Sequence, residues 1–167
     1  MGASVGYGLL LAVAVIIFSL LLFVLEVSKQ SSLNYLSYVI MIAGILLFQF
    51  QYRNKQRGGI ISYGDAFKVG LVTTIFYSII MAIFTYIFFT YIDPGAIEEG
   101  KRIAEEEMIR RGMTDQEIDQ AMKYAARFQT PTWLVIWALL GNIVVGIIIS
   151  LITSIFVKKE DGAIPAA

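Results

Sequence analysis

Neither histidine nor cysteine occurs among the 167 residues, so any chemistry must come from carboxylates, amines, hydroxyls and amides. That removes Ser-His and Cys-His nucleophiles, His- or thiolate-ligated metals, disulfides and an imidazole pH switch. Asp65, in Ser62-Tyr63-Gly64-Asp65-Ala66, has the setting of half an intramembrane aspartyl-protease dyad. A dyad needs a second carboxylate to share the proton, and no other aspartate lies in an apolar stretch. The glycines form neither G-x-x-x-x-G-K-[ST] nor G-x-G-x-x-G, so no phosphate cradle is predicted. The expectation is a protein that is not an enzyme and carries no metal or cofactor.

The polar residues inside apolar stretches are uncharged: Ser19, Asn34, Gln49, Gln51, Thr73, Thr74, Ser78, Thr85, Asn142, Ser150, Thr153 and Ser154. Asp, Glu, Lys and Arg are absent from those stretches, which argues against proton relays, ion sites and voltage sensing. Asn142 sits in Gly141-Asn142-Ile143-Val144-Val145-Gly146 and needs a partner on a neighbouring helix. Such bonds are worth about 0.6–2 kcal/mol each. With Gln49 and Thr73 it is a candidate for interhelical polar contact or, on a second reading, for the wall of a substrate groove.

The stretch from Arg53 to Gly70 is the most distinctive. Arg53, Lys55 and Arg57 precede a Gly58-Gly59 turn, and Ile60, Ile61, Tyr63 and Phe67 read as an interfacial entry to the next helix. Ser62 is placed to cap that helix, with Asp65 at its third position in place of the glutamate of a capping box. The three cations are either a topology signal or a contact for anionic lipid or a partner.

The elements that must position these residues are membrane spans. The chain is 57% hydrophobic and only 16% charged, against about 45–50% and 25% in soluble domains. A helix needs about 20 apolar residues to cross a hydrocarbon core of ~30 Å. Four stretches qualify, with cores near residues 6–25, 33–52, 69–92 and 133–157. The first lacks the basic start and small-residue cleavage site of a signal peptide, and Gly6 stands where myristoylation wants Ser or Thr. Gly44, Gly70, Gly141 and Gly146 are sites for close helix approach, whereas Gly2/Gly6 make a weak dimer face. The loop with Arg53, Lys55, Arg57 and Lys68 holds one acid, Asp65, and by the positive-inside rule it is cytoplasmic. The first loop has one residue of each sign, Glu26 and Lys29, and the tail opens with Lys158-Lys159. Both termini are then cytoplasmic.

Residues 94–129 form the one stretch of soluble composition and read as an extracytoplasmic helical hairpin. Asp93-Pro94 is a helix start, and Glu98–Arg102, Glu106–Arg110 and Glu107–Arg111 are spaced for ion pairs. Ile97, Ala104 and Met108 make a thin apolar stripe, and Gly112 suits a left-handed close. Thr114 with Glu117 is a capping box, followed by Ile118, Ala121, Met122, Ala125 and Phe128 on one face. Trp133 and Trp137 lie at interface depth. An insert this long exceeds what adjacent helices need. It is either a solvated linker or a docking element, with Ile97, Met108, Ile118 and Met122 as the candidate surface.

The run Ile61-Ser62-Tyr63-Gly64-Asp65-Ala66-Phe67-Lys68-Val69-Gly70 resembles the I-S-[FY]-G-x-A-F-x-x-G signature of a bacterial integral membrane family, domain of unknown function family 4199. The Tyr7-Gly8 opening, the Tyr91-Ile92-Asp93-Pro94 end of the third span and the Gly141-to-Lys159 final span are similar to it as well. The resemblance covers nearly the whole chain and implies an inner-membrane protein without assigned catalytic residues. The expectation is therefore an all-α, four-span, single-domain membrane protein. It is a non-catalytic accessory or scaffold subunit that meets the lipid bilayer and other membrane subunits or its own copies, and no nucleic acid. The alternative is a small channel or carrier for an uncharged or lipid-linked solute serving a membrane glycosyltransferase.

Overall fold

The computed structural model describes residues 2–25 and 31–159. Glu26 and Lys29 of the first loop, and the side chain of Asn34, lie outside the described residues. The chain is all-α: α1 (Gly2–Val24), α2 (Ser31–Gln56), α3 (Tyr63–Ile87), α4 (Gly95–Arg110), α5 (Asp115–Phe128) and α6 (Pro131–Val157). Among the described residues four helices are long and apolar enough to cross a membrane, at Gly2–Val24, Tyr35–Gln56, Tyr63–Ile92 and Pro131–Val157. These are the four spans expected, in a multi-pass membrane protein.

The helix ends follow local chemistry. α2 runs one turn past its apolar core, so Arg53 and Lys55 stand in its last turn, where cations meet the negative end of the helix dipole. Gly58 (φ +62°) and Gly59 (φ +92°) then turn the chain in a region that favours glycine. α3 begins six residues before its apolar core because Ser62 Oγ accepts the Asp65 N–H at 3.1 Å. The Asp65 carboxylate does not complete the box; it faces Arg57 at 3.3 Å and Lys68 at 3.8 Å. Beyond Ile87 the third span widens into a π turn, Phe88–Ile92, closed by Asp93 N–H donating to Phe88 O at 2.8 Å.

Two compact units are distinguished by backbone contact: residues 1–80 with 140–167, and residues 81–139. In the first, close approach is set by residues with little or no side chain. A methyl group added at Gly8 would meet Thr73 O at 2.7 Å and Phe76 Cβ at 2.8 Å, and one at Gly44 would meet the Leu11 side chain. At Gly146 it would meet the Thr74 side chain, whose Cβ is only 2.9 Å away. Among the described residues nothing lies within 4 Å of a methyl group added at Gly141, so it is not one of the close-approach sites expected. Tyr7 stacks on Phe48 with ring centres 4.6 Å apart, joining α1 to α2.

In the second unit α4 does not start on an Asp93 side-chain cap. Asp93 ends the π turn, and only its backbone carbonyl accepts Ala96 N–H, leaving Pro94 at the cap position. α4 closes as expected at Gly112 (φ +77°): Gly112 N–H donates to Ile109 O at 2.9 Å and Met113 N–H to Met108 O at 3.2 Å. Thr114 and Glu117 form the reciprocal capping box at the start of α5. Of the expected ion pairs, Glu107–Arg111 forms at 3.1 Å. Arg102 is instead shared by Glu99 and Glu106 at 2.7 and 3.1 Å, which leaves Glu98 to Lys101 at 2.6 Å and Arg110 to Glu107 at 3.5 Å. A forked guanidinium between two carboxylates satisfies more donors than a single pair does.

Candidate functional site

The buried polar residues converge between α2, α3 and α6. Gln49, on the inward face of α2, is fully buried; its Nε2 donates to Ala66 O and to Ser154 Oγ, each at 3.1 Å. Ser154 in turn donates to Ser150 O, and Thr153 to Ile149 O at 2.9 Å, so the α6 hydroxyls fold back on their own helix. Gly70 fills the space between: a Cβ there would stand 2.6 Å from both Gln49 Nε2 and Ser150 Oγ. Thr73, fully buried on α3, donates to Ser4 O on α1 at 3.4 Å. Gln49 Oε1, Thr74 Oγ1, Ser78 Oγ and Ser150 Oγ are enclosed without a hydrogen-bond partner among the described residues. The seam is packed backbone to side chain.

Asn142 is not part of that network. It is half-buried, and its side-chain amide makes no hydrogen bond among the described residues. The Gly70–Ser150 and Thr74–Gly146 contacts fix an antiparallel register of α3 on α6. One turn further along each helix, that register sets Asn142 opposite Ser78. Of the three candidate polar contacts, then, Gln49 reaches α3 and α6, Thr73 reaches α1, and Asn142 lies two turns along α6 from Ser150.

The basic stretch divides as well. Arg53 folds inward: its guanidinium donates to Val157 O at 3.1 Å, capping the end of α6, and lies 4.7 Å over the Phe50 ring. Beside it Ile61 and Lys159 exchange backbone hydrogen bonds of 2.9 and 3.0 Å in an antiparallel bridge. Ile61, Ala66 and Val157 are buried together under Leu46, Phe50 and Tyr52. No local signal marks the Ile61–Lys159 bridge, because it joins segments about a hundred residues apart. Lys55 is exposed at the end of α2.

Arg57 faces a cleft of about 120 Å³ lined by Ser4, Tyr52, Arg57, Asp65, Lys68, Val69 and Val72. Sequence reasoning counted Lys68 only as charge and did not single out Tyr52 or Ser4. The Asp65–Lys68 spacing of three was the one legible clue. Among the described residues no group of three or more carboxylates is placed to hold a metal ion.

In the insert, Ile97 and Met108 on α4 and Met122 on α5 are half-buried, and Ile118 is 7% exposed. The candidate stripe is therefore turned inward in its own unit. Ile103, Ile109 and Tyr124 are the large apolar side chains that α4 and α5 leave more than half exposed. Phe128 departs from the expected face and meets Trp133 edge-on at 5.3 Å.

The family model of a protein of unknown function, DUF4199, matches residues 6–159. No curated protein and no solved structure matches the chain.

Proposed function

The chain belongs to the DUF4199 family, whose description carries no activity, and from its own residues we propose that it is a non-catalytic accessory subunit of a larger membrane complex. On this reading it sits in a bacterial inner membrane, with both termini and the Arg53–Lys68 loop on the cytoplasmic side and residues 94–129 outside. The observation that carries the reading is the packing of Gln49. Its amide links α2 to α3 and to α6, with Gly70 closing the space beside it. An amide used in this way serves to hold helices together. A carrier wants Gln49, Thr73 and Asn142 around one groove, whereas Thr73 is turned to α1 and Asn142 is set apart along α6.

The insert supplies the contact with partners, which are other membrane subunits or further copies of this chain. Pull-down of the intact chain in mild detergent, followed by mass spectrometry, tests it. A stoichiometric membrane partner is expected, and deletion of residues 96–128 is expected to leave membrane insertion intact and remove that partner. Recovery of this chain alone from the intact protein, or an unchanged partner with the deletion variant, overturns the reading.

A further inference from the structure

The cleft beside Arg57 holds two cations against one carboxylate. Arg57 and Lys68 both face Asp65, at 3.3 and 3.8 Å, but neither contact has hydrogen-bond geometry, and two cations share a single carboxylate. Their N–H donors, and the Tyr52 hydroxyl, make no hydrogen bond among the described residues. Ser4 is only 3% exposed and lines the same cleft. Two cations and two hydroxyls around one carboxylate, with a net positive charge, is a composition that recognises an oxyanion.

The surroundings choose among oxyanions. Val69 and Val72 give the cleft an apolar wall on α3, one to two turns inside the helix from Asp65. Tyr52 and Arg57 come from the end of the second span and Lys68 from the start of the third. The cleft thus lies at the depth where a span leaves hydrocarbon for headgroups, polar at its mouth and apolar along its wall. Its volume of about 120 Å³ is well above the roughly 10–15 Å³ that holds one water. We propose that this cleft binds the phosphodiester headgroup of an anionic phospholipid. Arg57 and Lys68 meet the phosphate oxygens, Tyr52 and Ser4 donate to them, and Val69 and Val72 receive the glycerol and the first carbons of a chain. Asp65 holds the two cations in place and limits affinity by competing for them. The proposal does not rest on the accessory-subunit reading.

The test is retention of lipid by the full chain, purified from vesicles of phosphatidylglycerol and phosphatidylcholine and followed by native mass spectrometry during delipidation. The wild type is expected to keep phosphatidylglycerol over phosphatidylcholine. Each of Arg57→Gln and Lys68→Gln is expected to lower that retention about fivefold, and the pair about twenty-five-fold. Lys55→Gln, which removes the same charge from the same loop outside the cleft, is expected to leave it unchanged. Ser4→Ala and Tyr52→Phe change no charge and are expected to lower it by less, while Asp65→Asn raises it. Wild-type retention in the double variant, or equal loss in Lys55→Gln, overturns the site. Displacement of the lipid by millimolar inorganic phosphate overturns the assignment to a lipid and leaves a free-anion site.

Discussion

Residues 1–80 with 140–157 and residues 81–139 handle polar side chains in opposite ways. In the first group the polar residues buried between the spans are uncharged and mostly short: Thr73, Thr74, Ser78, Ser150 and Ser154 have essentially no exposed surface, and the long Gln49 bonds at its amide to two helices. In the second they are long, charged and exposed, as in Arg102 between Glu99 and Glu106 or Lys123 on Asp119 at 2.7 Å. Hydrogen bonding to Glu99, together with the charges of Glu99 and Glu106, holds the Arg102 guanidinium more firmly protonated than usual. Hydrocarbon offers no hydrophobic drive between helices, so the spans must associate through close packing and a few bonds. Water screens ion pairs and solvates both partners, so α4 and α5 depend on caps and a buried stripe.

The comparison is broken most severely where the packing is tightest. Gly146→Ala is expected to destabilise the spans by about 1–3 kcal/mol, the usual cost of overpacking. Thr74 is β-branched and its Cβ is itself 2.9 Å from the added methyl, so no rotamer relieves the contact. Gly44→Ala is expected to cost less, since the obstructing atoms belong to the flexible end of Leu11, and Gly141→Ala nothing, with open space around it. Equilibrium unfolding in lipid bicelles ranks the three; equal effects would refute packing as the basis of the bundle.

Next in size, Gln49→Ala is expected to lose about 1–2 kcal/mol from two interhelical bonds. A double-mutant cycle with Ser154→Ala isolates the α2–α6 share, which a merely space-filling glutamine would not show. In the insert, Thr114→Ala is expected to cost about 1 kcal/mol of local helix stability, read as faster amide exchange in the first turn of α5 with the spans unaffected. Arg102→Gln is expected to change unfolding of the insert too little to measure at physiological salt, despite its two short contacts.

The same cap carries a pH dependence. Glu117 accepts from the Thr114 N–H and hydroxyl, each at 2.8 Å, and the backbone bond first, then the hydroxyl, holds its carboxyl below the ordinary value. A lowered folded pKa makes the capping contribution complete above the unfolded value of about 4.3. It is lost as pH falls through the lower folded value. The Thr114 amide shift, followed by NMR through that window, is expected to move with Glu117 and not with the spans.

These outcomes also mark what was legible in the sequence. The four spans, the Gly58-Gly59 turn, the Ser62 cap, the Gly112 close and the Thr114–Glu117 box are local, each set by composition or by residues within a turn of one another. Asp93 as a cap and the Glu98–Arg102 pair were local readings that lost to competitors at similar spacing: the π turn claimed Asp93, and Glu99 with Glu106 claimed Arg102. The seam and the cleft depend on register between helices. Gly70 beside Ser150, Arg53 on Val157 and Ser4 in the cleft of Arg57 join residues far apart in the chain, where spacing carries no information. Asn142 looked conspicuous because an amide is rare in such a run, yet Gln49, less conspicuous near the end of its span, makes the bonds.

The two bonds of Gln49 have a consequence for synthesis. One acceptor, Ala66 O, lies 17 residues downstream and the other, Ser154 Oγ, 105 residues downstream. At roughly 5–20 residues per second of translation, the first is made within seconds, while the second waits about 5–20 s longer than the emergence of Gln49 itself. Through that interval the first three spans carry an exposed amide edge, and Phe50 and Arg53 lack the α6 end they cover. The nascent chain is therefore a half-built bundle with a polar stripe awaiting its last helix, and that interval is when an insertion factor or a wrong helix has its opportunity to bind.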